Sequence, residues 1–370
     1  MKSICLDVRK LELGGIGTYL QNILKFISPR RFDISLLVPK VSIEKYPHLH
    51  AFRLIPFHVP DYSLKEQVRF PFVVPKCDLF WVPHFNFPLF PIRAKKILMT
   101  LPDLFHLAYF SKLSFLEKRY AKFFLSQAIK KSDHLITVSD FSKREILRFT
   151  QASNAQIEVI PNGVDQELFK PCLNPDRQAE VQKKYHLPPH YFLFVGNQKS
   201  HKNLRGALKA FAHFLSQGNE ECYFVIAGSG EGLRHVEDLQ TFFRAHPSLK
   251  SRVCVLGYVE TEDLPLIYQM AVSLVFPSFY EGFGLPPLEA MSVGCPAIVS
   301  RVASLEEVCG DAVYYIDPYN VDSIVQGMKI LWENPPMREH WMRKGQQHAK
   351  AFLWKETAEK HMKLIEELLV

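Results

Sequence analysis

The chain has 370 residues, of which 47% are hydrophobic and 22% charged, and its net charge is +7. These values exclude a disordered or fibrous chain and suit two globular domains. Residues 79–92, the longest weakly charged stretch, include three prolines, which excludes a regular membrane-spanning helix there.

The first 160 residues alternate short β-rich runs with longer helical patterns. The predicted strands are Ser3–Val8, Ile34–Val38, Phe52–Phe57, Leu79–Val82, Lys96–Thr100, His134–Val138 and Ile157–Ile160. The predicted helices are Ile16–Ile27, Ser114–Lys131 and Phe141–Phe149, the last capped at Ser139-Asp140. Such alternation is typical of a parallel sheet with helices on both faces.

The alternation begins again near residue 191. The predicted strands of this half are Tyr191–Val195, Cys222–Ala227, Arg252–Leu256, Ser273–Phe276, Ala297–Val299 and Val313–Ile316. The predicted helices are Asn203–Ser216, Gly232–Ala245, Glu262–Met270, Pro287–Val293, Val321–Trp332 and Lys355–Leu369. The segment Gln166–His190 is polar and contains prolines, so it is the predicted linker.

The predicted fold class is therefore α/β, with two doubly wound, Rossmann-like domains in tandem. In open α/β sheets, ligands bind outside the carboxyl ends of the strands. We therefore expect the functional site at these strand ends, between the two domains.

Positive charge is concentrated in the first half of the chain. Residues 1–170 carry 25 Lys and Arg against 15 Asp and Glu, a net charge of +10, whereas the remainder is slightly acidic. A basic half favours an acidic partner, such as a phosphorylated lipid, an anionic membrane or a nucleic acid, and a solvated basic surface is the alternative.

The seven cysteines form no Cys-x-x-Cys pair, and most of them lie in apolar runs. This pattern predicts reduced thiols in a cytosolic protein rather than a zinc site. Residues 1–7 contain no apolar run long enough for a signal peptide.

Glycines Gly14, Gly15 and Gly17 lie between a predicted strand and a predicted helix. Glycine allows the backbone to approach a ligand closely, and the following helix offers N–H groups to an anion. The cluster lacks the Walker A ending and the full GxGxxG spacing, so a plain tight turn is the alternative.

A lysine, Lys202, stands where the helix after strand Tyr191–Val195 begins. A cation there is unfavourable for the helix dipole unless an anion binds beside it. The residue is therefore a candidate phosphate ligand, and a solvent-facing lysine is the alternative.

Two carboxylates, Glu281 and Glu289, flank a Gly-Phe-Gly turn and a Pro-Pro pair. Prolines suit the first turn of a helix, and the turn brings backbone N–H groups close to a ligand. Carboxylates accept from hydroxyls while a helix N-terminus attracts an anion, so this stretch suits a nucleotide sugar. Helix capping and first-turn charge are the alternative for Glu289, but they explain the Gly-Phe-Gly turn less well.

Further polar residues follow two predicted strands of the first half. His84 and Asn86 follow one strand, and Asp103 and His106 follow the next. All four are expected at strand ends, where each is either part of a site or part of a tight loop.

Taken in order, these motifs resemble the retaining glycosyltransferases of family 4, which share the two-domain GT-B fold. The stretch from Glu281 to Glu289 is similar to the EX7E motif of that family, and residues 14–17 are similar to its glycine loop. Further similar segments are residues 138–142, 160–165, 196–203, 256–259 and 304–311. Residues 62–67 and 83–86 are similar to a branch rich in mannosyl- and rhamnosyltransferases of bacterial surface polysaccharides.

The resemblance implies two domains, with residues 1–170 and 352–370 on the acceptor side and residues 171–351 binding the nucleotide sugar. It implies catalytic roles for Lys202, Glu281 and Asp103. The implied donor-binding residues are Gly15, Gly17, Asn197, Lys202, Gly257, Tyr258, Glu281, Gly282, Phe283, Gly284, Leu285 and Glu289. The implied acceptor-side residues are His84, Asn86 and His106.

Two positions depart from the family pattern. Asn197 follows Gly196 in a loop where an arginine is usual, which leaves Lys202 as the main cation for the diphosphate. Pro102 stands where the family has a histidine before the aspartate, and this puts the usual role of that histidine in doubt.

The resemblance implies transfer of a hexose, with mannose from GDP-mannose favoured, to a glycan or lipid-linked acceptor in lipopolysaccharide synthesis. We expect no cofactor and no metal, because no Asp-x-Asp sequence is present. We also expect a cytoplasmic protein with peripheral contact to an anionic inner membrane face, and no nucleic-acid partner. A catalytically impaired sugar-nucleotide-binding protein is the main alternative, and a nucleotide-sugar 2-epimerase is a second.

Overall fold

The computed structural model of the chain describes residues 1–61, 63–105, 115–197, 199–228 and 241–370. The chain folds into two compact units: the first comprises Met1–Gly163 and Trp354–Val370, and the second comprises Val164–Leu353. The sequence prediction divides the chain at residues 170 and 352. In the structure, Val164 and Leu353 form a parallel bridge at the two ends of the second unit.

The first unit is built on a parallel sheet that has seven strands within the described residues. They are β1 (Ser3–Asp7), β2 (Asp33–Val38), β3 (Arg53–Pro56), β4 (Cys77–Val82), β5 (Ala94–Thr100), β6 (His134–Thr137) and β7 (Ile157–Val159). Their order across the sheet is β3-β2-β1-β4-β5-β6-β7. The central strands are buried along nearly their whole length, as expected for a parallel sheet covered on both faces.

Helices connect these strands. They are α1 (Gly14–Phe26), α2 (Lys40–Lys45), α3 (Leu64–Val73), α4 (Phe115–Lys131) and α5 (Asp140–Phe149). The predicted cap of α5 is confirmed, since the Ser139 side chain accepts a hydrogen bond from the Ser142 backbone N–H at 3.1 Å. The C-terminal helix, Trp354–Leu369, completes this unit by packing on α1.

A buried polar network fixes the C-terminal helix to the sheet. The Nδ1 atom of His361 lies 2.7 Å from the Thr357 carbonyl, which only accepts, so Nδ1 carries the proton. The other nitrogen, Nε2, therefore accepts from the Tyr19 hydroxyl at 2.6 Å. The imidazole ring also stacks on Trp81. Burial lowers the pKa of His361 to about 4 and keeps it neutral at pH 7.

The second unit is also built on a parallel sheet, with six strands among its described residues. They are β8 (Tyr191–Val195), β9 (Tyr223–Ala227), β10 (Val253–Gly257), β11 (Ser273–Phe276), β12 (Ala297–Ser300) and β13 (Tyr314–Ile316). Their order is β10-β9-β8-β11-β12-β13. Two parallel-sheet units of this kind confirm the predicted α/β fold class.

The described helices of the second unit include several that the sequence does not predict. They are α6 (Pro175–Lys184), α7 (Leu204–Ser216), α8 (Leu264–Gln269), α9 (Leu285–Val293), α10 (Leu305–Cys309), α11 (Val321–Glu333) and α12 (Pro335–Ala349). Most of the predicted helix Gly232–Ala245 lies outside the described residues. The seven cysteines are free thiols, and Cys172 and Cys254 are the two that are not fully buried.

The predicted linker Gln166–His190 is wrong in part, because it contains helix α6. Pro175 occupies the first turn of this helix, where a missing N–H is harmless, and Asn174 caps it through hydrogen bonds from two backbone N–H groups. Proline thus begins a helix here instead of indicating a loop.

We predict that His361 makes the first unit sensitive to acid. Its pKa in the folded state lies below the ordinary value of 6.5, so its contribution to stability is complete above pH 6.5 and is lost as the pH falls toward 4. Between pH 7 and pH 5 the loss is about 2 kcal/mol, or roughly 4–8 °C in Tm. His361→Gln keeps an acceptor for Tyr19 but does not titrate, so its Tm should fall less between these pH values.

Thermal unfolding of the wild type and of His361→Gln at pH 7 and pH 5 measures this difference. His50→Gln, which alters an exposed histidine of the same unit, should keep the wild-type dependence on pH. The same Tm loss in His361→Gln and the wild type would show that His361 does not control the acid response.

Candidate functional site

In the second unit, the loops that follow β8 and β11 lie at the point where the strand order reverses. Strands β8, β9 and β10 extend the sheet in one direction, whereas β11, β12 and β13 extend it in the other. The loops after two such neighbouring strands separate and leave a crevice at the carboxyl edge. Lys202 and Glu281 belong to these two loops.

An ion pair joins these two loops. The ammonium nitrogen of Lys202 lies 2.7 and 2.8 Å from the two carboxylate oxygens of Glu281. Both side chains are nearly buried, with exposed fractions of 14% and 10%, and the ammonium group also lies over the Phe276 ring. The structure thus brings together two predicted catalytic residues that are far apart in sequence, and the positive charge of Lys202 is balanced within the protein.

Lys202 owes its position to a short 3₁₀ turn, Ser200–Lys202, and to the residue that follows. Asn203 has a left-handed backbone, with φ of 55°, and its side chain accepts a hydrogen bond from the Gly206 N–H at the start of α7. The Asn203 amide also donates to the Pro318 carbonyl at 3.0 Å. Lys202 therefore lies just before the α7 N-terminus, as the sequence predicts.

A serine side chain stabilises the turn before α9. The Ser304 hydroxyl lies within hydrogen-bonding distance of the carbonyls of Glu281, at 2.9 Å, and Phe283, at 3.1 Å. Gly284 has φ of +106°, which side-chain-bearing residues rarely adopt, and it directly precedes α9. The prolines of the motif lie in the first turn of α9, where a missing backbone N–H costs no hydrogen bond.

Glu289 lies on α9 and is half-buried. The Tyr268 hydroxyl donates a hydrogen bond of 2.9 Å to its carboxylate. Burial raises the pKa of Glu289 to about 7 despite this hydrogen bond, so the carboxyl group titrates near neutral pH. The structure places Glu289 at one end of the motif and the ion pair of Glu281 at the other.

Three glycines lie at the carboxyl ends of the adjacent strands β8, β9 and β10. Gly196, Gly228 and Gly257 all have positive φ, and hydrogen bonds of 3.0 and 2.9 Å connect them to the neighbouring strand ends. A Cβ on Gly228 would overlap the Gly196 carbonyl oxygen. The backbone at these three glycines therefore carries no side chain, and the exposed Tyr258 follows Gly257. Asn197 lies next to Gly196 and is half-buried.

The strand order of the first unit also reverses, between β1 and β4. Asp7 and Arg9 lie at the end of β1, and they contact each other through hydrogen bonds of 2.7–3.1 Å. The Arg9 guanidinium also donates to Glu66 at 2.6 Å and lies over the rings of Phe57 and Phe70. Burial opposes the charge on Asp7, but Arg9 and His84 outweigh it and hold the pKa of Asp7 well below its usual range.

His84 and Asn86 are part of the same buried network. The Asn86 backbone N–H donates to His84 Nδ1 at 3.0 Å, and the other ring nitrogen, Nε2, lies 3.3 Å from Asp7. The Asn86 amide nitrogen donates to Glu66 at 3.0 Å and to Asp61 at 3.2 Å. Both predicted acceptor-side residues are thus buried and held by partners.

The remaining predicted residues occupy simpler surroundings. Gly15 is exposed in the first turn of α1, whereas Gly17 is buried, and a Cβ on Gly17 would lie 2.5 Å from the Leu11 carbonyl oxygen. Close packing is therefore sufficient to require Gly17. Asp103 accepts a local hydrogen bond from the Phe105 N–H at 2.9 Å. His106 lies outside the described residues.

Two family models together match most of the chain. Residues 13–168 match the model described as Glycosyltransferase Family 4, and residues 176–348 match the model described as Glycosyl transferases group 1. The chain belongs to glycosyltransferase family 4.

Curated relatives of this member of family 4 include two mannosyltransferases. O-antigen chain mannosyltransferase B of Escherichia coli is 34% identical over 64% of this chain and 61% of the relative. O-antigen chain mannosyltransferase RfbU of Salmonella typhimurium is 29% identical over 60% of this chain and 57% of the relative. The match thus spans about three fifths of the length of each relative.

Solved structures with the same GT-B fold match this chain over almost its whole length. Sucrose-phosphate synthase from Thermosynechococcus elongatus has a TM-score of 0.81 at 20% identity, covering 100% of this chain and 99% of that one. WaaG, a glycosyltransferase involved in lipopolysaccharide biosynthesis, has a TM-score of 0.75 at 15% identity, covering 98% and 99%. The predicted fold is confirmed.

Sequence reasoning missed the residues that support these sites. Asp7, Arg9 and Glu66 were not candidates, although the charged residues directly after the apolar strand β1 were a usable signal. Ser304 was recognised only as part of a similar segment. Nothing in the local sequence indicates its hydrogen bonds to a turn that lies 21 to 23 residues earlier.

We predict that Lys202 and Glu281 are energetically coupled. Lys202→Met leaves a nearly buried carboxylate without its cation, which should cost about 2 kcal/mol and lower the Tm by roughly 4–8 °C. In the double variant with Glu281→Gln neither charge remains, so most of this loss should be recovered.

Thermal unfolding of the two single variants and the double variant measures the coupling. The pair Lys329 and Glu333 in the same unit is half-exposed at 3.9 Å, so the cycle Lys329→Met and Glu333→Gln should show no coupling. Additive losses at Lys202 and Glu281 would contradict the pairing.

Proposed function

We propose that the chain is a retaining hexosyltransferase that moves mannose from a nucleoside-diphosphate sugar to a hydroxyl of a glycan or lipid-linked acceptor. The observation that carries this proposal is the Lys202–Glu281 pair, which lies at the strand-order reversal beside the turn before α9. A cation, a carboxylate and backbone N–H groups are what a diphosphate and a polyol require together. The similarity to two O-antigen mannosyltransferases supports mannose and surface polysaccharide synthesis.

The donor would be bound along the motif from Glu281 to Glu289. In this proposal Glu289 accepts from the ribose hydroxyls and Glu281 from the hydroxyls of the hexose. Backbone N–H groups of residues 282–285 and the ammonium group of Lys202 meet the diphosphate. Gly257 and Tyr258 lie near the base, Asn197 lies beside the diphosphate, and Gly15 and Gly17 stay predictions as diphosphate contacts.

The proposed reaction breaks the bond between the anomeric carbon and the diphosphate oxygen and forms a bond from that carbon to the acceptor oxygen on the same face. Negative charge grows on the leaving diphosphate, and Lys202 together with fixed N–H groups is suited to stabilise it. The ammonium group paired with Glu281 makes that carboxylate a poor nucleophile. A front-face route, in which the leaving phosphate takes the acceptor proton, fits better than a glycosyl-enzyme.

We propose that no metal is required, because Lys202 supplies the positive charge and the sequence has no Asp-x-Asp. We predict that the purified chain transfers mannose from GDP-mannose to octyl α-mannoside in buffer containing EDTA. Lys202→Ala should lower turnover about 100-fold, because it removes the cation that meets the leaving group. Chromatography measures the product, and NMR of the new linkage should show an α-anomer.

Lys329→Ala removes a half-exposed lysine of the same unit and should turn over like the wild type. If no nucleoside-diphosphate hexose gives product, with or without Mg²⁺, the transferase proposal is wrong. Activity only with Mg²⁺ would contradict metal independence alone. A thermal-shift screen over GDP, UDP, dTDP and ADP sugars identifies the donor.

One observation favours a second candidate, a sugar-nucleotide-binding protein without transferase activity. His84 is buried, its Nδ1 accepts from the Asn86 N–H and its Nε2 lies 3.3 Å from Asp7, which argues against it as a substitute for the family histidine that Pro102 displaces. Nucleotide-sugar binding without turnover in the assay above would support this candidate.

We further propose peripheral contact with an anionic membrane at the inner face of the cytoplasmic membrane. No helix in the described part of the chain combines the length and the hydropathy needed to cross a bilayer. Helix α3 instead exposes three apolar side chains spaced four residues apart, Leu64, Val68 and Phe72, with exposed fractions of 74%, 49% and 78%. Exposed Lys65 and Arg69 lie on the same helix, and this combination suits an anionic lipid surface.

The segment Lys112–Lys131, in which the sequence mixes phenylalanines with lysines and arginine, supports this proposal less. Its residues 112–114 lie outside the described part of the chain. On α4, Phe124 and Leu125 are buried in the core, whereas Phe123 is exposed beside Lys122. The apolar residues whose side chains are described in this helix thus divide between the core and the surface.

We predict that the chain floats with vesicles that contain phosphatidylglycerol and not with pure phosphatidylcholine. Leu64→Ser combined with Phe72→Ser should abolish flotation, because it removes the apolar part of the surface. Leu173→Ser, which alters an 89% exposed leucine of the other unit, should float like the wild type. Equal flotation of the α3 variant and the wild type would rule out α3 as the membrane contact.

A further inference from the structure

One ion pair connects the buried network around Asp7, Arg9 and Asn86 to the surface of the first unit. Asp61 accepts from the Asn86 amide through one carboxylate oxygen, and its other oxygen pairs with the ammonium group of Lys10. The Asp61 side chain is 43% exposed and that of Lys10 is 11% exposed, whereas Asn86 is fully buried. Asp61 and Lys10 are thus the outer end of a chain of polar contacts that begins in the core.

Buried side chains fix the position of this ion pair. Asn86 donates to Asp61 and to Glu66 through the same amide nitrogen, and Glu66 in turn receives the Arg9 guanidinium. Arg9 is fixed between Asp7 and the rings of two phenylalanines. A carboxylate supported in this way is already oriented, so a ligand loses little free energy in ordering it.

The two carboxylates around Asn86 also determine which way its amide is turned. Because both accept from the nitrogen, the amide oxygen must face elsewhere, and no donor among the described residues forms a hydrogen bond with it. A fully buried amide oxygen without a donor is unfavourable. The network therefore contains one buried acceptor that no described donor uses.

The charges of the network favour a neutral ligand over an anion. Among the described residues of the network, three carboxylates, on Asp7, Asp61 and Glu66, face two cations, Arg9 and Lys10. An excess of carboxylate repels phosphate and attracts hydroxyl donors, while the Lys10 ammonium can donate to a hydroxyl oxygen. A pair of neighbouring sugar hydroxyls both donates and accepts, and so matches Asp61 and Lys10.

The position of the pair agrees with this chemistry. Lys10 follows β1, Asp61 follows β3 and Asn86 follows β4, so all three lie in loops at the carboxyl edge of the sheet. Strands β1 and β4 are the neighbours at which the strand order reverses, which is where open α/β sheets bind ligands.

We propose that Lys10 and Asp61 form a binding subsite for neighbouring hydroxyls of the sugar acceptor, with Asn86 and Glu66 as positioning residues behind them. The subsite rests on the proposed transferase function and deepens it. The acceptor part that it recognises is the neutral sugar and not a phosphate of a lipid carrier.

Initial rates at varied octyl α-mannoside, with saturating GDP-mannose, test this subsite in the full chain. Asp61→Asn keeps the shape and the acceptor oxygen for Asn86 but removes the charge, so the acceptor KM should rise about tenfold or more. Lys10→Gln should act in the same direction. The dissociation constant of GDP, measured by calorimetry, should stay at the wild-type value in both variants.

A second ion pair of the same unit provides the matched control. Asp78 and Lys95 pair at 2.7 Å, at the amino ends of β4 and β5, which is the opposite edge of the sheet. Asp78→Asn and Lys95→Gln should leave the acceptor KM unchanged. If Asp61→Asn has the same acceptor KM as Asp78→Asn while the wild type transfers mannose, the subsite is wrong and the transferase function stands. If the wild type transfers no hexose, both are wrong.

The acceptor KM of the Asn86→Asp variant at different pH values distinguishes a positioning role of Asn86 from a role in folding alone. The new carboxylate faces Asp61 and Glu66, with Arg9, Lys10, Asp7 and His84 nearby, so it should raise the acceptor KM more at high pH than at low pH. A KM raised equally at every pH, or unchanged, would overturn the positioning role of Asn86.

Discussion

A parallel sheet that is covered by helices on both faces can present polar side chains only where its strands end. Both units of this chain obey this constraint, and in each one the strand order reverses beside the first strand of the sheet. The loops that separate at these two reversals hold Lys202 with Glu281 in one unit and Asp7 with His84 in the other. The order of the strands thus determines where the functional side chains lie. The residue types then determine which ligands these side chains can bind.

At each reversal of the strand order, charged side chains are nearly buried. Removing Lys202 or Arg9 from water is costly, and it is tolerated because each meets carboxylates at close distance. The two clusters differ in the groups that they offer to a ligand. In the second unit, bare backbone at Gly196 and Gly228 lies beside a balanced pair, which suits a diphosphate. In the first unit, carboxylate is in excess, which suits hydroxyls.

Much of this arrangement follows from the sequence, because β-rich runs and the spacing of charged residues are local features. The edge position of Lys202 and Glu281 could be predicted from the strands that precede them. Their direct contact could not, since it depends on which strands are neighbours across 79 residues of sequence. The same holds for Arg9 and Glu66, which are 57 residues apart. Helix α6 was missed for a different reason, because its proline begins a helix in a stretch that reads as a linker.

The C-terminal helix has a consequence for how the protein is made. His361 belongs to the first unit, where it receives a hydrogen bond from Tyr19, yet the whole second unit lies between them in the chain. On a ribosome that adds roughly 5–20 residues per second, the first unit therefore waits on the order of 10 s or more for its last helix. During that time the surface of α1 that will receive this helix is uncovered, whereas the second unit has all of its residues before synthesis ends.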